Sequence, residues 1–72
     1  MIIMLTDIDD EGTYIGKCLI NTDRIVSVCK ESADEVQTRI DLGGGEEDYF
    51  YVKESPEEIY NIIRKEKEKE RY

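Results

Sequence analysis

Seventy-two residues allow one small domain, and an apolar share of 39% limits the core that the chain can bury. The chain has 18 acidic and 10 basic residues and no histidine, so its formal net charge is −8 and it lacks the commonest acid–base group and zinc ligand. This composition argues against an enzyme with a deep catalytic cleft and predicts a protein that gains stability by forming a homo-oligomer or by binding a partner.

The charge is distributed unevenly along the chain. Residues 1–63 carry 15 acidic and five basic side chains, whereas residues 64–72 carry five basic and three acidic ones. An anionic body repels phosphate groups, so we predict no binding to nucleic acid and a preference for basic partners. The alternative explanation is that the acidic side chains keep a small protein soluble.

The chain begins with a short apolar run, residues 2–6, that is bounded by the turn-forming residues 7–12. This pattern predicts a buried strand. The run has neither the preceding basic residues nor the length of a signal peptide, and no apolar stretch of the sequence reaches the length of a membrane span. We therefore expect a cytoplasmic protein that does not insert into a membrane.

Two further strands are predicted in the first half of the chain. Residues 13–20 form the second, and the polar residues 21–24 then supply a compact turn. Residues 25–29 are rich in β-branched side chains, which favours a third strand.

The second half of the predicted sheet has the clearest pattern. Residues 36–42 alternate between apolar and polar side chains, which is typical of a strand with one solvent-exposed face. Three glycines, residues 43–45, permit a reversal with positive φ, and the aromatic residues 49–52 form the last strand. We predict an α+β fold in which four or five short antiparallel strands form a meander sheet or a small SH3-like barrel.

The segment after the strands carries the sharpest local signal for a helix. Ser55 is suited to the N-cap, Pro56 to the first helical position, and Glu58 completes a capping box. The apolar stripe that follows is short, so only the first two turns are expected to dock. Residues 1–63 are therefore predicted to be the single domain, and residues 64–72 a charged helical extension or frayed tail.

Two patterns resemble metal or thiol chemistry without completing it. Asp7, Asp9 and Glu11 match alternate positions of a calcium-binding loop, but its last ligand position holds Cys18 instead of glutamate. We predict a solvated hairpin turn there, with no metal and no cofactor. Cys18 and Cys29 are predicted to be reduced core thiols, although a hairpin between the second and third strands would permit a disulfide.

Three segments resemble the FlbD-type family of small flagellar-operon proteins. They are the pair Leu5 and Thr6, the turn at residues 20–25, and residues 52–59. This chain differs from the family in its longer acidic first turn and in its glycine reversal. The resemblance implies a cytoplasmic accessory or interaction protein, which need not be associated with flagella.

A second resemblance is to the carbon storage regulator family, through residues 1–6, 15–16 and 57–60. That family consists of RNA-binding dimers of five strands and a helix. Its functional arginines, one after the opening threonine and one before the Glu-Glu-Ile motif, are replaced here by Asp7 and Pro56. The resemblance implies an interlocked dimer, but the RNA-binding residues are not shared.

Two sets of residues are candidates for partner binding. The leading hypothesis is a non-catalytic module that binds a protein partner through aromatic and basic side chains, namely Tyr49, Tyr51, Tyr60, Arg64 and Arg71. The alternative is a phage-type inhibitor that mimics nucleic acid and binds a basic nucleic-acid-binding protein. Its acidic patch would consist of Asp7, Asp9, Asp10, Glu11, Glu46, Glu47 and Asp48.

Overall fold

Five antiparallel strands form one open sheet, and a single helix follows them, which confirms the predicted α+β fold. The structure is a computed structural model that describes residues 1–30 and 37–69. Its elements, in chain order, are β1 (Ile2–Ile8), β2 (Tyr14–Asn21), a single 3-10 turn (Thr22–Arg24), β3 (Ser27–Cys29), β4 (Thr38–Asp41), β5 (Tyr49–Val52) and α1 (Pro56–Lys69).

The strand order across the sheet is β2-β1-β5-β4-β3. Strands β3, β4 and β5 form a meander, and β5 then pairs with β1 through two residue pairs, Asp7 with Val52 and Ile8 with Tyr51. Strands β2 and β3 are therefore the two edges of the sheet. Cys18 and Cys29 lie on these opposite edges as free thiols, so the hairpin that a disulfide would require is not formed.

The helix covers one face of the sheet, termed here the inner face. Leu5, Ile40 and Val52 are fully buried there, and Ile59 packs on them with 2% of its surface exposed. Ile59 is the only buried residue within Pro56–Lys69, so the helix docks through its first turns, as its short apolar stripe predicts.

The beginning of α1 agrees with the predicted cap. The Glu58 backbone N–H donates to Oγ of Ser55 over 3.1 Å, and the Ile59 N–H donates to the Ser55 carbonyl over 3.0 Å. Pro56 is the first helical residue, where its missing N–H costs nothing. Within residues 1–30 and 37–69, no helix has the length and apolar character needed to cross a membrane.

Strand β1 differs from the predicted buried strand. It continues to Ile8, and burial alternates over its first four residues: Ile3 and Leu5 face the core, whereas Ile2 and Met4 are each 57% exposed. The prediction was wrong for these two side chains because the helix covers only the inner face.

Candidate interaction surface

The outer face of the sheet lies opposite α1 and is arranged in cross-strand rows. Residues paired directly in an antiparallel sheet project to the same face. The pairings place one row across all five strands, consisting of Tyr14, Ile8, Tyr51, Arg39 and Cys29. This row runs from the β1–β2 hairpin to the β3–β5 meander through Ile8, which is only 4% exposed.

Three residues of the outer face form a compact aromatic and basic group, termed here the tyrosine cluster: Arg39, Tyr49 and Tyr51. The two tyrosine ring centroids are 5.6 Å apart, with the ring planes at 73°, which is an edge-to-face arrangement. Cζ of Arg39 lies 5.3 Å from the Tyr49 ring centroid, within cation–π distance. Tyr49 remains 39% exposed, so the cluster is accessible.

A second group on the outer face is apolar and is termed here the outer apolar patch: Ile2, Met4 and Leu19. Met4 lies directly opposite Leu19 across the β1–β2 pairing, and Leu19 is 68% exposed. Sequence reasoning missed this patch because it assigned the whole apolar run of β1 to the core. The available signal was the side-chain alternation of a strand, applied to a sheet covered on one face only.

A polar network separates the two groups. The Thr6 backbone N–H donates to Oε1 of Glu54 and its hydroxyl donates to Oε2, each over 2.8 Å. Nζ of Lys17 donates to the Thr6 hydroxyl, also over 2.8 Å. Thr6 is only 5% exposed, so its polar atoms obtain their partners from within the chain.

The same contacts determine the acidity of Glu54. Partial burial of the carboxyl raises its pKa, but the hydrogen bonds from the Thr6 N–H and hydroxyl and the charge of Lys17 act in the opposite direction. The net result is a pKa below the ordinary value of a glutamate. Glu54 therefore binds Thr6 as a carboxylate at neutral pH.

The predicted partner-binding residues divide between two surfaces. Tyr49 and Tyr51 lie on the outer face, because their neighbours in β5, Phe50 and Val52, pack into the core beneath α1. Tyr60 is 65% exposed on α1, which is on the other side of the sheet. Arg64 is also an exposed residue of α1, and Arg71 lies outside the described residues.

Two carboxylates of the predicted acidic patch are used to build turns. Oδ1 of Asp9 accepts hydrogen bonds from the backbone N–H groups of Glu11 and Thr13, over 2.9 and 2.8 Å. Oδ2 of Asp48 accepts one from the Gly44 N–H over 2.9 Å. The first turn is thus a hairpin turn, and the described residues contain no group of acidic or thiol side chains that could hold a metal ion.

The acidic turns lie at opposite ends of β4. Nε2 of Gln37, just before β4, donates to the Asp10 carbonyl over 2.7 Å, whereas residues 43–48 follow the other end of the strand. The exposed carboxylates at these positions are those of Asp10, Glu11, Glu46 and Glu47, and Asp7 is partly buried within β1. A strand of four residues separates the two acidic turns by about 13 Å.

Comparison of the chain with protein-family models, with curated proteins and with solved structures finds no match. The functional argument therefore starts from the surface chemistry of this chain.

Proposed function

We propose that this chain is a cytoplasmic, non-catalytic interaction module that self-associates and binds a protein partner through the outer face of its sheet. The observation that carries the proposal is the tyrosine cluster, in which Tyr49 contacts both Tyr51 and Arg39 and is still accessible. Aromatic and arginine side chains are enriched at the centres of protein interfaces. The resemblance to FlbD-type accessory proteins supports the same function.

The packing within the tyrosine cluster favours it over the exposed residues of the helix as the binding surface. Tyr49 is held between an aromatic ring and a guanidinium group, so less side-chain freedom is lost when a partner binds. The row that contains Tyr51 and Arg39 also continues across β1 to Tyr14, which is 63% exposed. Ile8, the β1 residue of this row, is only 4% exposed, so a partner would contact the row through its members on β2, β4 and β5.

The experiment is capture of partners from native lysate with the tagged full chain, washed in parallel at low and high salt. We expect a protein that is retained at high salt by the wild-type chain and lost from Tyr49→Ser. Tyr60→Ser is the matched control, because it makes the same substitution at a tyrosine that is more exposed than Tyr49 and lies on the other side of the molecule. Equal retention by Tyr49→Ser and the wild type would exclude the tyrosine cluster as the binding surface.

The helix surface is tested in the same assay. Arg64→Glu reverses one exposed charge of α1 without touching the sheet. If Arg64→Glu and Tyr60→Ser release the partner while Tyr49→Ser retains it, the partner binds the helix and the proposed surface is wrong.

A second function, an acidic inhibitor that occupies a nucleic-acid-binding cleft, is favoured by the exposure of four carboxylates on the two turns that flank β4. Binding of this kind is driven by charge and weakens as salt screens it. It predicts capture of a basic nucleic-acid-binding protein at low salt only. The double variant Glu46→Gln with Glu47→Gln would release that protein, and Tyr49→Ser would retain it.

A further inference from the structure

We infer that the free edge of β2, together with the outer apolar patch, is the surface through which two copies of this chain pair about a twofold axis. The inference rests on the self-association in the proposed function and gives that self-association a location. It concerns a surface separate from the tyrosine cluster, which remains available to a different protein.

The outer edge of β2 is long and regular. The strand has eight residues and stands at one end of the strand order, so no described strand pairs with its outer side. The one register shift lies near its beginning, and the pairs from Asp7 with Gly16 to Ile2 with Asn21 are continuous. Alternate residues of such an edge present backbone N–H and C=O groups outward, which is a template for another strand.

The features that usually protect a sheet edge are weak along β2. Its only charged residue is Lys17, and Nζ of Lys17 donates to the Thr6 hydroxyl of β1, which draws the ammonium group away from the edge. The strand contains no proline.

Charge favours a second copy as the occupant of this edge. Strands β1 and β2 contain one acidic residue, Asp7, and one basic residue, Lys17, so the net charge of −8 comes entirely from the rest of the chain. Two copies with this charge repel each other wherever their carboxylate-bearing turns approach. At β2 they would meet through neutral surfaces, whereas a basic partner would be drawn to the acidic turns.

The apolar surface is concentrated at the same place. Five of the eight large hydrophobic side chains that are exposed in the described chain lie on β1 or β2: Ile2, Met4, Tyr14, Ile15 and Leu19. A twofold axis beside β2 would bring the outer apolar patches of both copies side by side in one larger sheet. The described part of each copy has only six buried hydrophobic residues, and its two cysteines are free thiols, so burial at a dimer interface would supply stability that the isolated core lacks.

The test is sedimentation equilibrium of the full chain from micromolar to millimolar concentration. We expect the wild type to be a dimer and Leu19→Lys to raise the dimer Kd by at least about tenfold, because each interface would then hold two buried ammonium groups. Val26→Lys is the matched control: Val26 is also an apolar residue, 70% exposed, but lies beside the opposite edge strand. It should leave the Kd unchanged.

A second measurement needs no variant. In an equimolar mixture of isotope-labelled and unlabelled wild-type chain, isotope-filtered NMR should show contacts between residues 16–21 of one copy and the same segment of the other. The Leu19→Lys variant of the sedimentation experiment needs its own control for folding. Its circular dichroism spectrum should match that of the wild type, because the replaced side chain is 68% exposed, and a match would show that the variant loses the dimer and keeps the fold.

The outcomes separate the two proposals. A wild-type chain that stays monomeric at every concentration would overturn both the self-association and the β2 surface, while capture with Tyr49→Ser would still report on partner binding. A dimer that survives Leu19→Lys, or intermolecular contacts confined to other strands, would overturn the β2 surface alone.

Discussion

Thr6 binds both carboxylate oxygens of Glu54, through its backbone N–H and its hydroxyl, although the two residues are 48 positions apart in the chain. The contact ties the first strand to the segment that leads into α1. It is reinforced by the Lys53 N–H, which donates to the Thr6 carbonyl over 2.9 Å.

Removing the Thr6 hydroxyl should destabilise the fold. In Thr6→Val one carboxylate oxygen of Glu54 and the ammonium group of Lys17 lose their shared partner, and we expect the free energy of unfolding to fall by about 1–2 kcal/mol. Thr6→Ser keeps the hydroxyl and is the control. The measurement is urea denaturation of both variants at neutral pH, and equal midpoints would show that the hydroxyl contributes nothing.

The lowered pKa of Glu54 predicts a loss of stability in acid. In the unfolded chain a glutamate has a pKa of about 4.3, so the stabilisation from this group is complete above that pH and is lost as the pH falls through the lower folded value. Glu54→Gln should therefore show a shallower decline in the free energy of unfolding across this acidic range. Glu47→Gln removes one exposed charge and serves as control; it should decline as the wild type does.

Replacement by alanine should destabilise the fold at one glycine and have little effect at another. Gly43 has φ of +82°, and an added Cβ would lie 2.7 Å from Cγ2 of Val26. Gly43→Ala should therefore lower the free energy of unfolding by about 1–3 kcal/mol. Gly16→Ala meets open space and should change it by less than about 0.5 kcal/mol. Thermal denaturation of both variants tests the difference, and equal losses would contradict it.

Cys18 should react slowly as a nucleophile. Burial raises the pKa of its thiol, the charge of Asp7 and then that of Glu54 raise it further, and the hydrogen bond with the Leu5 backbone only partly offsets them. In a Cys29→Ser background, the alkylation rate should reach half its maximum at a higher pH in the folded chain than in urea. Asp7→Asn should move that midpoint down, and an unchanged midpoint would exclude the carboxylate as a cause.

Local features of the fold could be predicted from the sequence. The cap formed by Ser55, Pro56 and Glu58 acts within one helical turn, so its residues are sufficient to locate the beginning of α1. The alternation through β4 is equally local, and Thr38 and Ile40 are fully buried as it requires.

Features that depend on distant segments could not be predicted in this way. An apolar run such as that of β1 suits a strand covered on both faces, and only the packing of α1 on one face decides that Met4 is exposed. The positions of the candidate partner-binding tyrosines also depend partly on distant segments. Alternation alone puts Tyr49 and Tyr51 on one face, but the side on which Tyr60 lies depends on where the helix docks.

The short pairing between β1 and β5 affects the rate at which the protein folds. The β1–β2 hairpin and the β3–β5 meander can each form from segments that are near one another in the chain. The two units pair through Asp7 with Val52 and Ile8 with Tyr51, and this pairing must close a loop of more than forty residues. We therefore expect closure of this loop to limit the folding rate, and a circular permutation that links the two chain ends and opens the chain between β2 and β3 to accelerate folding.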